Sequence, residues 1–240
     1  ACNMLLTYEL IKKSNHITLE FDQLFQKSLH EHGSHIKNNL ETSYFFHGHN
    51  HYMANIVGLI FLGILTDNKD SKRWLKFGLE EFNKAIDFQF YDDGGNFEGS
   101  AYYHRLVLEM VLHTVILISN KNNKVKKIIG QEEIFNQRVS QKIHNAFLFF
   151  KHIITPNYSL YQFGDNDSGR LFNLTGQEDK NINKFIVDLG EKYFYHQKSK
   201  PHISDLFFIN TDIMKQHSKS INVFDIFKPD FKSKFFPDSK

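Results

Sequence analysis

The 240 residues of this chain, 41% of them hydrophobic and 15% aromatic, are enough for one substantial core or two small ones. Lysine and arginine number 29 against 27 acidic residues, and this scattered charge of +2 argues against a nucleic-acid-binding protein. The single cysteine, Cys2, excludes an internal disulfide framework and a cysteine-based zinc site.

Helical periodicity covers most of the chain. Segments 52–65 and 100–119 are apolar almost all round, which predicts buried inner helices. The other helical segments each carry one apolar stripe, and they are residues 19–36, 71–90, 137–154 and 181–194. The basic run at 120–127 is interpreted as a solvated connection. Because more and less apolar helices alternate, the pattern predicts helical hairpins packed side by side, as a bundle or as an α/α toroid.

The composition changes near residue 195, at "HQKSKPHIS". Two short β-like pieces, "DLFFIN" and "INVFDIF", follow this change. The sequence therefore predicts a helical domain over 1–195, and a linker with a β-like tail over 196–240. The start "ACNMLLTYEL" lacks the features of a signal peptide, and we find no run of roughly 18 apolar residues, the length that a membrane span needs. We therefore expect no membrane partner.

Three polar, glycine-rich loops interrupt the helices at 45–53, 90–106 and 160–172. In the first, His47, His49 and His51 alternate, and an extended segment would place all three imidazoles on one face, where they could bind zinc. Asn50, however, is a plausible N-cap, which puts His51 inside the next helix and breaks this geometry. Metal binding therefore stays the lesser alternative, and we expect no metal and no cofactor.

The second loop, "DDGGNFEGS", combines a turn at Gly94 and Gly95 with a predicted helix start at Ser100. Glu98 would then lie at a helix N-terminus, where a carboxylate is favourable and simple capping would explain it. Tyr103 and His104 follow one turn into that helix, from which both could reach the mouth of a cleft. A place in the core is the alternative for Tyr103.

The third loop, "FGDNDSGR", offers Asp165, Asn166, Asp167 and Arg170. The run resembles an incomplete calcium loop that lacks the distal glutamate. Ordinary turn chemistry with a structural Arg–Asp pair is the simpler interpretation.

The three motifs "NHYMANIVGLIFLG", "QFYDDGGNFEGSAYYHRLVLEM" and "FGDNDSGR" together resemble the heparinase II/III family of polysaccharide lyases, over most of residues 1–175. The resemblance implies an N-terminal α/α toroid followed by a C-terminal β-sandwich. We therefore expect an all-α chain, an incomplete toroid with a short β-like C-terminal tail. The segment at 234–240 would enter a sandwich domain that only the full-length protein contains, and without that domain the chain can lack activity.

The resemblance also implies a reaction, the cleavage of uronic-acid-containing polysaccharides by β-elimination. Asn50 matches the family's asparagine that neutralises the C5 carboxylate, an electrostatic role like that of an oxyanion hole, and His51 adjoins it. Tyr103 matches the catalytic tyrosine of the S-x-x-Y-H pattern, as general acid or base. A phenol with a reference pKa of about 10 needs nearby positive charge to act as a base, and His51, His104 and Arg105 could supply it.

Substrate contacts are expected from residues around these three, namely Glu98, Tyr102, His104, Arg105, Asp165 and Arg170. Tyr102 is the lesser candidate for the catalytic tyrosine, because a helix turns it about 100° away from Tyr103. The implied partner is an acidic polysaccharide, of glycosaminoglycan or alginate-like type. The implied location is periplasmic or extracellular.

Other functions are compatible with the same residues. A non-catalytic protein that binds acidic glycans or assembles surface polysaccharides could share the toroid, as could a helical scaffold without activity. A glycoside hydrolase would need two opposed carboxylic acids, which Glu98 with Asp165 or Asp167 could provide.

Overall fold

A computed structural model describes residues 1–12, 17–42, 48–166, 168–172 and 179–195. These residues form α-helices joined by turns and loops. The helices are α1 (Cys2–Ile11), α2 (Leu19–Asn38), α3 (Asn50–Leu65), α4 (Ser71–Gln89), α5 (Ala101–Asn120), α6 (Asn122–Ile129), α7 (Gln137–His152) and α8 (Asp179–Tyr195). Every predicted helix is present, and its ends lie within two residues of the predicted ones.

The interpretation of 120–127 as a solvated connection was wrong. Most of this run lies in α6, a short amphipathic helix that buries Val125 and ends at Gly130, which has a φ of +73°. The basic residues occupy its solvent side, and for that reason the run looked like a loop. The helix α1 was not predicted at all.

The two apolar segments are the inner helices, as predicted. The helix α3 packs against α1, α2, α4 and α5, and α5 packs against α3, α6, α7 and α8. The outer helix α4 turns one stripe toward α3 and buries Trp74, Phe82 and Ile86. This alternation of inner and outer helices follows the difference in apolar content along the sequence.

The helix α5 corrects one expectation. By length and composition it is apolar enough to cross a membrane, although the sequence was interpreted as having no such segment. Within the described chain, 78% of its most apolar window is buried. Its apolar surface is thus used for packing against the neighbouring helices, as in a core helix.

Strand pairing is minimal in the part of the chain that the structure describes. It consists of two isolated antiparallel bridges, Phe90 with Asn96 and Ile154 with Leu160. Each bridge closes a tight loop that follows a helix. The predicted domain boundary near 195 and the β-like tail at 196–240 lie outside the described residues.

Candidate functional site

The N-terminus of α3 is capped by a side chain from the second polar loop. Glu98 accepts hydrogen bonds from Asn50, through Oε1 from the backbone N at 2.7 Å and through Oε2 from Nδ2 at 3.0 Å. Asn50 is the first residue of the helix, and its predicted role as N-cap was wrong, because His49 precedes the helix without a side-chain cap bond. The carboxylate of Glu98 therefore satisfies a free amide of α3 and faces the positive end of its dipole.

Glu98 also fixes the orientation of the Asn50 side chain. A carboxylate only accepts hydrogen bonds, so the amide must turn its Nδ2 toward Glu98. One N–H of Nδ2 is used in this contact, and the second N–H remains to meet another acceptor. Asn50 is half-buried, so its amide is held in one orientation near the surface.

His51 is held in the same way by a second carboxylate. Its Nδ1 lies 2.8 Å from Oε2 of Glu41, so Nδ1 carries the proton in this contact. The backbone N of Glu41 in turn donates to Oδ1 of Asn55 at 2.7 Å. Both side chains of the His51–Glu41 pair are more than half exposed, so this imidazole lies on the surface.

Tyr103 lies in the first turn of α5. Ser100 caps this helix as predicted, since its Oγ accepts from the backbone N of Tyr103 at 3.2 Å. The same hydroxyl donates to the backbone carbonyl of Asp165 at 2.6 Å, and the N–H of Ala101 donates to the carbonyl of Phe163 at 3.1 Å. The third polar loop is thereby attached to the start of the helix that carries Tyr103. Tyr103 itself is half-buried.

The second and third loops touch through two glycines. Gly164 has a φ of +64°, and a Cβ at this position would lie 2.3 Å from the carbonyl oxygen of Gly99. Gly99 has a similar φ of +68°, but a Cβ there would meet nothing within 4 Å. Of these two glycines, Gly164 alone combines a left-handed backbone with a close approach to another backbone.

Gly164→Ala is expected to lower the free energy of unfolding by about 2–4 kcal/mol, because left-handed strain adds to a backbone clash. Gly99→Ala is the matched control, since it introduces the same strain of about 1–2 kcal/mol without the clash. Urea titration of both variants measures the difference. Equal losses for the two variants would show that the contact between the loops is unimportant for stability.

The placement of His104 at a cleft mouth was wrong. This side chain is 1% exposed, and its Nε2 donates to the carbonyl oxygen of Ala146 at 3.1 Å. The rings of Phe90, Phe149 and Phe150 surround it. Because His104 follows Tyr103 by one residue on the helix, its side chain points inward, toward α7. Burial at this position lowers the pKa of His104 to about 4. His104 can neither bind substrate nor supply positive charge to Tyr103 in this structure.

This burial makes folding sensitive to acid. His104 is neutral in the folded chain, whereas the unfolded chain takes up a proton below the ordinary pKa of 6.5. Stability is therefore complete above pH 6.5 and falls as the pH drops toward 4, by about 2 kcal/mol at pH 5. We expect His104→Gln to remove this part of the pH dependence while it keeps a donor toward Ala146.

The measurement compares urea titrations at neutral pH and at about pH 5, where the difference is expected. His152→Gln is the matched control, because His152 makes a similar ring-to-carbonyl bond to Leu148 at 2.7 Å but is exposed. Other titrating groups affect both variants alike and cancel in the comparison. An unchanged pH slope in His104→Gln would contradict the assignment.

Arg105 is also placed differently from the prediction. It is 0% exposed, so it does not line an open cleft, and its guanidinium lies 4.6 Å from the centre of the Tyr102 ring. The cation therefore packs over Tyr102 and not over Tyr103, an attractive arrangement with the aromatic face. Tyr102 itself is half-buried.

Glu109 is a buried carboxylate that the sequence did not single out. It accepts from the backbone N of Leu171 at 3.1 Å and of Phe172 at 3.2 Å, and thereby attaches the end of the third loop to α5. Burial raises the pKa of Glu109 to about 7, opposed by these two N–H groups and by the positive charges of Arg105 and Arg170. Arg170 therefore lies near a carboxylate of the core, and Asp165 is exposed.

The three histidines of the first loop are only partly described. The rings of His49 and His51 meet edge to face with centroids 5.2 Å apart, while His47 and Asp167 lie outside the described residues. Among the described residues, no group of three histidine, cysteine, aspartate or glutamate side chains could hold a metal ion. Metal analysis of the purified protein tests the zinc alternative, which needs His47.

Comparison with known proteins agrees with this helical architecture. Residues 3–185 match the family described as "Heparinase II/III N-terminus". The heparin-sulfate lyase of Pedobacter heparinus is 29% identical over 161 residues, which are 67% of this chain and 22% of that protein. The heparin-sulfate lyase of Bacteroides stercoris is 25% identical over 159 residues, which are 66% of this chain and 22% of that protein.

A crystal structure of heparinase III has the same fold, with a TM-score of 0.56 at 17% identity, over 80% of this chain and 28% of that one. The part of the chain that the structure describes is therefore all-α and has the fold of an incomplete α/α toroid, as predicted. It belongs to the heparinase II/III family, and the resemblance carried by the three motifs is confirmed. The chain spans about a fifth of the length of the two lyases that it matches.

Proposed function

We propose that this chain is part of a polysaccharide lyase that cleaves a uronic-acid-containing glycan by β-elimination. Asn50, with His51 beside it, neutralises the C5 carboxylate of the sugar, and Tyr103 serves as general acid or base. A glycosaminoglycan is the proposed substrate class, because the two similar proteins are heparin-sulfate lyases. We further propose that the full-length protein carries a C-terminal β-sandwich domain and is located in the periplasm or outside the cell.

The contact between Asn50 and Glu98 carries this proposal. Removal of the C5 proton from a uronate creates a second negative charge beside the carboxylate, so a donor must be held in place before reaction. Glu98 accepts from the backbone N of Asn50 at 2.7 Å and orients the side-chain amide through Nδ2 at 3.0 Å. A preoriented amide does not need to reorganise as charge develops. Glu98 is thus proposed as a positioning residue for Asn50.

The proposed reaction needs a proton acceptor and a proton donor. The base takes the C5 proton, the electron pair forms the C4–C5 double bond, the bond from C4 to O4 breaks, and O4 receives a proton. Tyr103 is proposed for this proton transfer because it lies in the first turn of α5, five residues after Glu98. Two loops attached to one another surround this turn.

The position of His51 supports its proposed role. Because Nδ1 of His51 is bound to Glu41, the ring nitrogen that can face a substrate is Nε2. The carboxylate of Glu41 thereby fixes both the tautomer and the orientation of the ring. When the imidazole is protonated, Nε2 becomes a charged donor toward a sugar carboxylate. Glu41 is thus a further positioning residue, from a loop that the sequence motifs did not include.

A spectroscopic assay tests the proposal. The full-length protein is incubated with a panel of acidic polysaccharides, and absorbance is followed in the ultraviolet band of a 4,5-unsaturated uronide. A rise in absorbance with at least one polysaccharide is the expected result. If new reducing ends appear without an increase in absorbance, the protein is a hydrolase and not a lyase. If the protein binds the polysaccharide but gives neither signal, it is a non-catalytic glycan-binding protein.

The hydrolase alternative has less support from the geometry. Both carboxylate oxygens of Glu98 accept hydrogen bonds from Asn50, so the orientation of Glu98 is set by the N-terminus of α3. Asp165 offers its backbone carbonyl to Ser100 in the third loop. The contacts of Glu98 thus support a positioning role better than that of one member of a pair of opposed acids, and Asp167, the other candidate partner, lies outside the described residues.

A further inference from the structure

A basic cleft lies at the end of the helical layer opposite to Asn50. It runs between the start of α4 and the helix α6, beside the C-terminal end of α3, and has a volume of about 1020 Å³. The helix α3 has 16 residues, so its two ends are about 24 Å apart and the cleft is separate from the candidate site. The cationic side chains of this basic cleft are Lys72, Arg73, Lys76, Lys124 and Lys127.

The cleft carries more positive charge than its surroundings explain. Its other charged side chains are Asp67 and Glu80, and Asp70 at its edge binds Arg73 at 3.0 Å, so five cations face three carboxylates and the net charge is two positive. Asp67 is bound by Lys124 at 2.9 Å. Glu80 is bound at 2.7 Å by Lys84, which does not line the cleft. These acidic groups therefore do not neutralise the remaining lysines.

Lys72, Lys76 and Lys127 are exposed, and none forms an ion pair with a carboxylate of the described residues. The positions of Lys72 and Lys76 also disfavour α4, whereas Lys127 lies in the last turn of α6, where a cation is favourable. Lys72 lies in the first turn of α4, where a cation opposes the helix dipole, and the first turn of α4 has no acidic residue. Lys72 and Lys76 are four residues apart, a spacing at which like charges repel on a helix. Helix stability thus gives no reason for Lys72 and Lys76 to lie one turn apart, whereas a bound anion does.

The arrangement suits a chain with several negative charges. Lys72 and Lys76 stand one turn apart on one wall, and Lys127 stands on the other wall. Phe77 and Ile128 provide apolar surface between them, against which a sugar ring can pack. Lys37 adds a cation at the edge, since its Nζ lies 4.0 Å from the centre of the Phe77 ring.

We propose that the basic cleft binds an acidic polysaccharide through its sulfate and carboxylate groups, at a second point remote from Asn50. The proposal rests on the proposed function, because the same substrate class would occupy both places. A long glycan held at two points dissociates more slowly than one held at the candidate site alone. Short oligosaccharides cannot span the distance of about 24 Å and would gain nothing.

Direct binding tests the proposal without relying on catalysis. Fluorescently labelled heparan sulfate is titrated into the full-length protein that carries Tyr103→Phe, so that cleavage does not disturb the measurement. The cleft variant is the triple substitution Lys72→Gln, Lys76→Gln and Lys127→Gln. The matched control replaces three exposed lysines outside the cleft, Lys12, Lys27 and Lys180, with glutamine.

The cleft variant is expected to bind long heparan sulfate about tenfold more weakly at low ionic strength, since three exposed charge contacts are lost. The difference should shrink at high ionic strength, because salt screens exposed charges. The control should bind as the parent does. In the active background, the cleft variant should raise KM for long chains and leave the cleavage of a tetrasaccharide unchanged.

Equal affinities of the cleft and control variants would overturn the proposal. It would also be overturned if the cleft variant lost binding to duplex DNA but kept full binding to heparan sulfate, because the site would then serve nucleic acid. Thermal unfolding of both triple variants verifies that they are folded. If the parent forms no unsaturated product but the cleft variant still loses heparan sulfate binding, the lyase proposal fails and the basic cleft is supported.

Discussion

Tyr103→Phe is expected to lower kcat/KM of the full-length protein on its polysaccharide by about 10²–10⁴-fold, the usual contribution of a positioned general acid or base. The substitution removes only the phenolic oxygen. The backbone N of Tyr103, which donates to Ser100 and holds the start of α5, is unaffected. The rate of ultraviolet absorbance increase measures the effect, and thermal unfolding shows whether the fold persists.

Two further tyrosines make the test selective. Tyr91→Phe removes one hydroxyl from an exposed side chain of the second loop, and this control is expected to change the rate by less than about twofold. Tyr102 is the neighbouring alternative, but its ring lies under the guanidinium of Arg105. A larger loss from Tyr102→Phe than from Tyr103→Phe would transfer the proton-transfer role to Tyr102.

Asn50→Ala is expected to lower kcat by about 10²–10³-fold, because a preoriented donor to a developing negative charge is lost. Asn50→Asp should be more damaging. It places a carboxylate where the Nδ2 of Asn50 now lies 3.0 Å from Oε2 of Glu98, so it repels both Glu98 and the sugar carboxylate. Steady-state kinetics on the same polysaccharide measures both variants.

Loss of activity must be separated from loss of structure. Asn50→Ala also removes one hydrogen bond to Glu98, which is expected to cost about 1 kcal/mol of unfolding free energy. Asn123→Ala is the control, since Asn123 is an exposed asparagine in the first turn of α6, at the other end of the layer. Activity of Asn50→Ala within about threefold of the parent would contradict the proposed role, because an electrostatic donor contributes far more.

The helices were predictable because their signals are local. Apolar spacing placed α3, α4 and α5 within two residues of their ends, and Ser100 was identified as a cap from its position before an apolar run. The same local criteria missed α6, whose lysines cover its solvent side, and misplaced the cap of α3 by one residue. The three motifs, taken in order, also indicated the family.

The partners of the polar residues could not be predicted in this way. Asn50 and Glu98 are 48 residues apart, and Glu109 reaches Leu171 across 62 residues. Such pairs depend on how antiparallel helices bring their ends together, which no local pattern contains. The tyrosine at 103 and the histidine at 104 looked equivalent in sequence, yet one is half-buried beside the loops and the other is buried against α7.

The sequence by itself thus determined the helical class, the positions of six helices and the family, because periodicity, capping and short motifs act within a few residues. Only the tertiary structure decided that Glu98 orients Asn50, that Glu41 orients His51, and that His104 and Arg105 belong to the interior. The direction of a side chain in the packed toroid depends on its neighbours on other helices. A turn of about 100° per residue is enough to separate a site residue from a core residue.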